Sequence, residues 1–234
     1  MVLVLRCHPG RKRALKRRHI RARVDGGGPT PQTDRLTEYA EKLTMTTVVV
    51  VQKDGQIAIA ADSQSTFGDM RLGAIDDARW NKIFEHNGSY FAICGSAAHD
   101  LVLQSALKKI KNLDFSSRAA IFESFRKLHV KLKEDFYLKP DEEEDDPYES
   151  SQMTVLIANQ HGIFGVYSLR EVYEFQRFWA MGSGRDFAIG AMNALYDQLD
   201  AAGLAKAGIE AGCAFDISSS MPMTSYQLAK VQPE

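Results

Sequence analysis

The chain has 234 residues, 44% apolar and 25% charged, the composition of an ordinary globular protein with one large or two small domains. No stretch approaches the roughly 18 consecutive apolar residues that a membrane-spanning helix needs, which argues against a membrane protein of that kind. Three scattered cysteines are typical of reduced thiols in the cytoplasm rather than of a disulfide framework.

Charge divides the chain into two parts. Residues 1–45 carry eleven Lys and Arg against four Asp and Glu, a net charge of +7, which leaves −8 for residues 46–234. The acid-free run 11–23 and the run GGGPTP at 26–31 predict a poorly ordered extension over 1–45. Three interpretations remain open: translated sequence upstream of a working start at Met45, a removed pro-segment, or a basic arm for nucleic acid or organelle targeting.

Three pairs of apolar runs predict β-hairpins, each joined by a two-residue turn signal. The pairs are Thr46–Lys53 with Gln56–Asp62 around Asp54-Gly55, Lys82–Glu85 with Ser89–Cys94 around Asn87-Gly88, and Met153–Asn159 with Ile163–Ser168 around His161-Gly162. The runs are almost continuously apolar, so we expect both faces of the sheets to be covered.

Apolar residues spaced by three and four positions predict helices. Two helices follow the second hairpin, one through Leu103, Ala106, Leu107 and Ile110 and one through Ile121, Phe125, Leu128 and Leu132. The acidic tract 140–147 is predicted to be a solvated loop, and Val172–Ala180 a single strand. A third helix carries Ala188, Met192, Leu195 and Leu199, and a small-residue helix near 204–214 precedes a Pro-containing tail.

The order of these elements is hairpins, two helices, strands and two helices. It predicts an α+β fold in which two packed, mainly antiparallel sheets lie between helices, a four-layer α-β-β-α sandwich formed as one domain by residues 46–234.

The pair Thr46-Thr47 follows Met45 directly. A Thr hydroxyl is a weak nucleophile unless a base lies beside it, and the simplest base available to an N-terminal Thr is its own α-amine. If the working chain begins at Thr46, one residue therefore supplies both nucleophile and base. Removal of an initiator methionine before a small residue such as Thr is normal, which favours Met45 as the working start.

Six short elements come in the order found in a proteasome-like β-subunit. They are Thr46-Thr47, Ala60-Ala61-Asp62-Ser63-Gln64-Ser65-Thr66, Asn81-Lys82-Ile83, Cys94-Gly95-Ser96-Ala97-Ala98, Gly182-Ser183-Gly184 and Asp216-Ile217-Ser218-Ser219. The chain thus resembles, over about residues 46–220, the proteasome-like β-subunit family of N-terminal-nucleophile hydrolases. The resemblance is to its bacterial branch, which includes the HslV peptidase and the betaproteobacterial proteasome homologue.

The resemblance implies catalytic roles around Thr46. Thr46 Oγ would attack a peptide carbonyl while its α-amine accepts the proton. Lys82 would lower the pKa of that amine by like-charge repulsion, Asp62 would hold the Lys82 ammonium, and the Gly95 N–H would stabilise the oxyanion.

The resemblance also implies an outer group and a substrate strand. Ser183, Asp216 and Ser219 would position the amine and a water molecule. The backbones of Thr66, Gly95 and Ala97 would pair with an extended peptide, which favours unstructured substrates. Plainer interpretations remain open: Asp62 as a cap, Lys82 on the surface, Gly95 as a packing residue and Gly182-Ser183-Gly184 as a helix cap or phosphate cradle.

The implied function is a threonine-type endopeptidase of the bacterial cytoplasm that hydrolyses unfolded polypeptides. The resemblance implies a homo-oligomer of two stacked rings of six or seven subunits, compatible with an ATP-dependent unfoldase partner. No cofactor, metal, membrane or nucleic acid is expected, and Cys94 and His129 are predicted to be packed residues. Two alternatives stay open: a small-molecule amidohydrolase of the same fold, and a catalytically silent scaffold whose basic arm binds nucleic acid.

Overall fold

The structure is a computed structural model that describes residues 46–67, 70–139 and 146–231. The predicted extension 1–45 and residues 140–145 of the predicted acidic loop lie outside the described residues. Among the residues that the structure describes, no helix is long and apolar enough to cross a membrane.

The described residues form eleven strands and four helices. The strands are β1 Thr47–Lys53, β2 Gln56–Ala61, β3 Ser65–Phe67, β4 Met70–Leu72, β5 Ile83–His86, β6 Ser89–Cys94, β7 Thr154–Asn159, β8 Gly162–Val166, β9 Val172–Phe175, β10 Phe178–Gly182 and β11 Thr224–Ala229. The helices are α1 Ala98–Lys109, α2 Arg118–Phe136, α3 Arg185–Ala194 and α4 Ala201–Phe215.

Two antiparallel sheets make up the middle of the fold. One has the strand order β10-β1-β2-β11 and the other the order β5-β6-β7-β8-β9, while β3 and β4 form a separate short hairpin. The five-stranded sheet packs against α1 and α2 on its outer face, and the four-stranded sheet packs against α3 and α4. This arrangement, together with the structural neighbours described below, confirms the predicted four-layer α-β-β-α sandwich.

The valine run of β1 shows why the strands are apolar on both faces. Val48 and Val50 pack between the two sheets, whereas Val49 and Val51 pack against α3 and α4. Because successive side chains of a strand point to opposite faces, a strand with helices on one side and a second sheet on the other must be apolar throughout.

Two of the three predicted turns are confirmed. Asp54-Gly55 and Asn87-Gly88 have positive φ at both residues, 50° and 73° in the first and 51° and 75° in the second, as a tight antiparallel hairpin requires. The third turn lies one residue earlier than predicted, at Gln160-His161. The reason is Asn159, whose Oδ1 accepts the His161 N–H at 2.9 Å and closes the turn locally.

The prediction of one strand over Val172–Ala180 is wrong. The chain forms β9 at the edge of the five-stranded sheet, crosses at Gln176-Arg177 and continues as β10 at the edge of the four-stranded sheet. No Gly or Pro marks the crossing in the sequence. The predicted third helix is also shorter, since α3 ends at Ala194.

The predicted Pro-containing tail includes a strand that the sequence analysis did not identify. Residues Thr224–Ala229 form β11, which pairs antiparallel with β2 over its whole length, from Thr224 opposite Ala61 to Ala229 opposite Gln56. As an edge strand it is only partly buried, so its sequence lacks the apolar run that identified the other strands.

Candidate active site

Thr46 and Asp62 meet because β1 and β2 form a hairpin. Thr46 precedes β1 and Asp62 follows β2, and the register places Val48 opposite Ala61. Thr46 is 3% exposed and Asp62 is fully buried. The tight turn at the far end of the hairpin therefore sets the two residues side by side, 16 positions apart in the sequence.

Three polar side chains form a triangle at this end of the hairpin. Thr46 Oγ1 donates to Asp62 Oδ1 at 2.6 Å, and Lys82 Nζ lies 2.7 Å from both Thr46 Oγ1 and Asp62 Oδ1. The Lys82 side chain is 16% exposed. The structure thus brings together the three residues to which the resemblance gives the central roles.

The buried Asp62 carboxylate is fully paired. Besides Thr46 and Lys82, its Oδ1 accepts the Thr47 N–H at 3.0 Å, and its Oδ2 accepts the N–H groups of Gln64 at 2.9 Å and Ser220 at 3.2 Å. A carboxylate can be buried only when its charge is compensated by such donors. These hydrogen bonds hold the Asp62 carboxylate in one orientation, with Oδ1 facing Thr46 Oγ1.

Lys82 precedes β5, which belongs to the opposite sheet from β1 and β2. The Asn81 side chain anchors this part of the chain, since its Oδ1 accepts the Ile83 N–H at 2.9 Å and its Nδ2 donates to Tyr226 Oη at 2.9 Å. The lysine side chain therefore reaches from one sheet to the end of the other, where Thr46 lies.

Ser183, Asp216 and Ser219 form a second group next to the first. Asp216 Oδ2 accepts from Ser183 Oγ at 2.7 Å and from Ser219 Oγ at 2.6 Å. Ser183 Oγ also lies 3.4 Å from the backbone oxygen of Thr46, but its single proton serves the shorter contact to Asp216. The three residues that were predicted to position the Thr46 amine and a water molecule therefore lie together beside the Thr46 backbone.

Thr47 is a site residue that the sequence analysis missed. Its Oγ1 lies 2.7 Å from Ser219 Oγ, and because Ser219 donates to Asp216, Thr47 is the donor. A Cβ atom on Gly184 would lie 2.0 Å from Thr47 Oγ1, and one on Gly212 would lie 2.5 Å from it. The threonine hydroxyl is thus held between two glycines that are far apart in the sequence, so no local sequence pattern indicates this contact.

Gly182 lies directly against Thr46. Its φ is 99°, a conformation that favours glycine, and a Cβ there would lie 2.0 Å from the Thr46 backbone oxygen. The first glycine of Gly182-Ser183-Gly184 therefore permits the close approach of β10 to Thr46. It acts as more than a helix cap.

The remaining predicted residues lie on neighbouring segments. Gly95 follows β6 with φ 134°, and Ala97 is the residue before α1. Thr66 is in β3 and pairs with Arg71 of β4. The structure thus places Thr66 four residues after Asp62, and Gly95 and Ala97 between β6 and α1.

Two cysteines near the site are unsuited to nucleophilic attack. Burial raises the pKa of the Cys94 thiol to about 12, and burial likewise raises that of Cys213 to about 12. Because the thiolate is the reactive form, neither thiol is a nucleophile near neutral pH. The prediction that Cys94 is a small buried residue is confirmed, since it is fully buried.

The chemistry of the site depends on the nitrogen of Thr46. The hydroxyl has an ammonium and a carboxylate beside it, and no His, Cys, Asp and Glu among the described residues cluster as metal ligands would. Joined to Met45, the Thr46 nitrogen is an amide without basicity. With a free amine, the same residue would carry both a nucleophile and a base.

Comparisons with known proteins agree with this geometry. No family model matches the chain. The solved structures of BPH from Thiobacillus denitrificans, alone and in complex with epoxomicin, are 41% and 40% identical to it, cover 80% of it and all of their own chains, and have TM-scores of 0.76 and 0.75.

Two more distant relatives extend the comparison. The proteasome subunit beta of Nanoarchaeum equitans (strain Kin4-M) is 23% identical over 201 residues, which cover 80% of this chain and 94% of that protein. The crystal structure of eukaryotic HslV from Trypanosoma brucei has a TM-score of 0.61 at 19% identity, covering 79% of this chain and 99% of that one. This last likeness concerns the fold alone.

Proposed function

Since the chain belongs to the proteasome-like family of N-terminal-nucleophile hydrolases, we propose that it is a threonine-type endopeptidase whose nucleophile is Thr46. The observation that carries the proposal is the Thr46–Asp62–Lys82 triangle, with separations of 2.6 to 2.7 Å. A hydroxyl held against an ammonium and a buried carboxylate is an unusual environment for a threonine that only begins a strand.

The reaction we propose has two stages. Thr46 Oγ1 attacks the peptide carbonyl carbon and its proton passes to the free α-amine of Thr46, directly or through water. The proton is then delivered to the leaving nitrogen, which departs as the amine of the released peptide and leaves an ester on Thr46. Water, deprotonated by the same α-amine, attacks the ester carbonyl; the bond to Thr46 Oγ1 breaks, the α-amine returns the proton to Oγ1, and the peptide acid is released.

The neighbouring groups support these stages. The Lys82 ammonium, 2.7 Å from Thr46 Oγ1, favours loss of the hydroxyl proton and lowers the pKa of the nearby α-amine, which keeps the amine neutral and basic. Asp62 fixes that ammonium. The Gly95 N–H is our proposed donor to the oxyanion, and Ser183, Asp216 and Ser219 our proposed supports for the amine and the water.

The substrate we propose is an unfolded polypeptide. It would bind as an extended strand along the backbones of Thr66, Gly95 and Ala97. Such pairing discriminates little between sequences, so an exposed monomeric site would be hazardous in a cell. We therefore propose a homo-oligomer of two stacked rings of six or seven subunits, working in the cytoplasm and open to an ATP-dependent unfoldase.

Exposed apolar side chains support the assembly. Ile75, Ile217 and Phe215 are 96%, 83% and 71% exposed. Contiguous exposed apolar surface is typical of a region that another chain covers. Phe215 lies against Phe187, which is also exposed, with 5.4 Å between ring centroids, so these two rings form one continuous apolar surface.

The test compares Thr46→Ala with the unchanged chain, both beginning at Met45 and with methionine removal verified by mass. We expect hydrolysis of an unstructured peptide by the unchanged chain, inhibition by epoxomicin, and loss of both activity and epoxomicin binding in Thr46→Ala. Light scattering should show the same multi-subunit particle for both. Retained activity in Thr46→Ala would contradict the proposal, and activity of a monomer against small amides alone would favour the amidohydrolase.

A further inference from the structure

The Asn81 side chain fixes the residues on either side of Lys82. Its Oδ1 accepts the Ile83 N–H at 2.9 Å, which closes a local turn with Lys82 at its centre. Its Nδ2 donates to Tyr226 Oη at 2.9 Å, across 145 residues of sequence. Asn81 is exposed, so without this second bond nothing in the described contacts would tie its side chain to the rest of the fold.

Tyr226 is itself held by both sheets. It lies in β11, opposite Ile59 of β2, in the four-stranded sheet. Its ring stacks on Tyr90 of β6 in the five-stranded sheet, with ring centroids 4.7 Å apart and an interplanar angle of 20°. The phenol oxygen therefore has a fixed position relative to both sheets.

Lysine needs such support in this site. Its side chain is a flexible four-carbon stem, and holding it in one conformation costs conformational entropy. Its ammonium has to lie 2.7 Å from both Thr46 Oγ1 and Asp62 Oδ1. Misplacement of a catalytic group by about 1 Å can cost roughly 10²-fold in rate.

We propose that Tyr226 and Asn81 are positioning residues that hold the backbone of Lys82 so that its ammonium meets Thr46. The inference rests on the proposed function, because it assigns the pair a part in the same reaction. It also gives β11 a role: this strand carries the phenol that fixes the lysine turn.

Displacement of Lys82 should shift the pH dependence of activity in one direction. The Lys82 ammonium lowers the pKa of the Thr46 α-amine, and the amine must be neutral to act as a base. If the lysine moves away, the pKa of the amine rises and the amine remains protonated to a higher pH. The acid limb of the activity profile then shifts to higher pH, whereas a loss of general stability would leave that limb in place.

The experiment uses Tyr226→Phe, Asn81→Ala and the double variant, each with a verified free Thr46 amine. Tyr226→Phe keeps the stacked ring and removes only the hydroxyl. We expect kcat to fall by about 3- to 10-fold, as for the loss of one hydrogen bond, with KM unchanged and the acid limb shifted upward. The double variant should be no slower than Asn81→Ala, because the two residues act through one contact.

The control is Tyr173→Phe, the same change at a half-exposed tyrosine of β9. It should leave kcat and the acid limb unchanged. The inference is overturned if Tyr226→Phe has an unchanged kcat, or a lower kcat with an unshifted acid limb. Either result leaves the proposed function standing, provided that Thr46→Ala is inactive. If the unchanged chain with its free amine hydrolysed no peptide, the proposed function would fail, and this inference with it.

Discussion

Lys82 Nζ lies 2.7 Å from Thr46 Oγ1, although the two residues are 36 positions apart and precede strands of opposite sheets. The contact forms at the end of the β1–β2 hairpin, where the lysine turn before β5 approaches the start of β1. Closing the sandwich therefore completes the site. The chemistry depends on how the two sheets are held together as well as on local sequence.

Loss of the Lys82 charge should reduce activity without removing the nucleophile. In Lys82→Met, which keeps the length and apolar stem of the side chain, we expect kcat/KM to fall by at least about 10²-fold, the low end for a positioned acid–base system. Peptide hydrolysis by initial rates measures this. Lys127→Met, on the exposed face of α2, is the matched control, and normal activity of Lys82→Met would show that this lysine has no part in the reaction.

The glycines around Thr47 should be intolerant of even a methyl group. Gly212→Ala places a Cβ 2.5 Å from Thr47 Oγ1 inside a packed interior, and we expect the free energy of unfolding to decrease by about 1–3 kcal/mol. Gly190→Ala is the matched control, because Gly190 lies in α3 with nothing within 4 Å of its added Cβ. That variant should gain about 0.5–1 kcal/mol from helix propensity. Denaturant unfolding of both proteins separates the two effects, and equal outcomes would contradict the described packing.

Activity should require a free amine on Thr46. A chain beginning at Met45, once the methionine is removed, should hydrolyse an unstructured peptide, whereas a chain that retains residues 1–45 should be inactive, because an amide nitrogen is not a base. The mass of each N-terminus is measured beside the assay. Full activity in a chain shown to keep residues 1–45 would rule out the amine as the base.

His129 should make stability depend on pH. His129 is 7% exposed, and its ring nitrogens lie 3.1 Å from Ser151 Oγ and 3.0 Å from Glu149 Oε2. Burial lowers the pKa of His129 below its usual value of about 6.5, against the smaller opposite effect of Glu149 and with Arg170 and Lys133 nearby. Above pH 6.5 the ring is neutral in both states. As the pH falls through 6.5 the unfolded chain takes up the proton first, so the free energy of unfolding decreases until the folded ring is also protonated.

The measurement is the change in melting temperature between pH 7.5 and 5.5. In His129→Gln we expect a smaller change than in the unchanged chain. His161→Gln, in the exposed turn before β8, should behave like the unchanged chain. His86 and His99, whose pKa values burial also lowers, are present in all three proteins and cancel in the comparison. An equal change in His129→Gln would show that this ring does not contribute.

The hairpins could be predicted because their signals are local. Asp54-Gly55 and Asn87-Gly88 adopt the positive φ angles that these residues tolerate, and the runs beside them are apolar because both faces are buried. The missed features are those that tertiary contacts decide. β11 is a half-buried edge strand, and the β9–β10 crossing has no turn residue, so neither leaves a pattern in the sequence.

The residues of the candidate site likewise divide into those that could be predicted from the sequence and one that could not. The resemblance carried by the short elements predicted roles for Thr46, Asp62, Lys82, Ser183, Asp216 and Ser219, and the structure brings these six into two adjoining hydrogen-bonded groups. Thr47 was missed because a threonine within a valine-rich strand looks like any other strand residue. Its role depends on Gly184 and Gly212, which lie far away in the sequence.

The crossing between β9 and β10 has a mechanical consequence. Packed sheets lie about 10 Å apart, and the three Cα–Cα steps from Phe175 to Phe178 span at most about 11 Å, so the two linking residues have almost no slack. Arg177 is further pinned, because its backbone oxygen accepts the Gln52 N–H at 2.7 Å. This short link holds the two sheets together along one side of the sandwich. We therefore expect fluctuations that separate the sheets and admit water between them to begin at the opposite side.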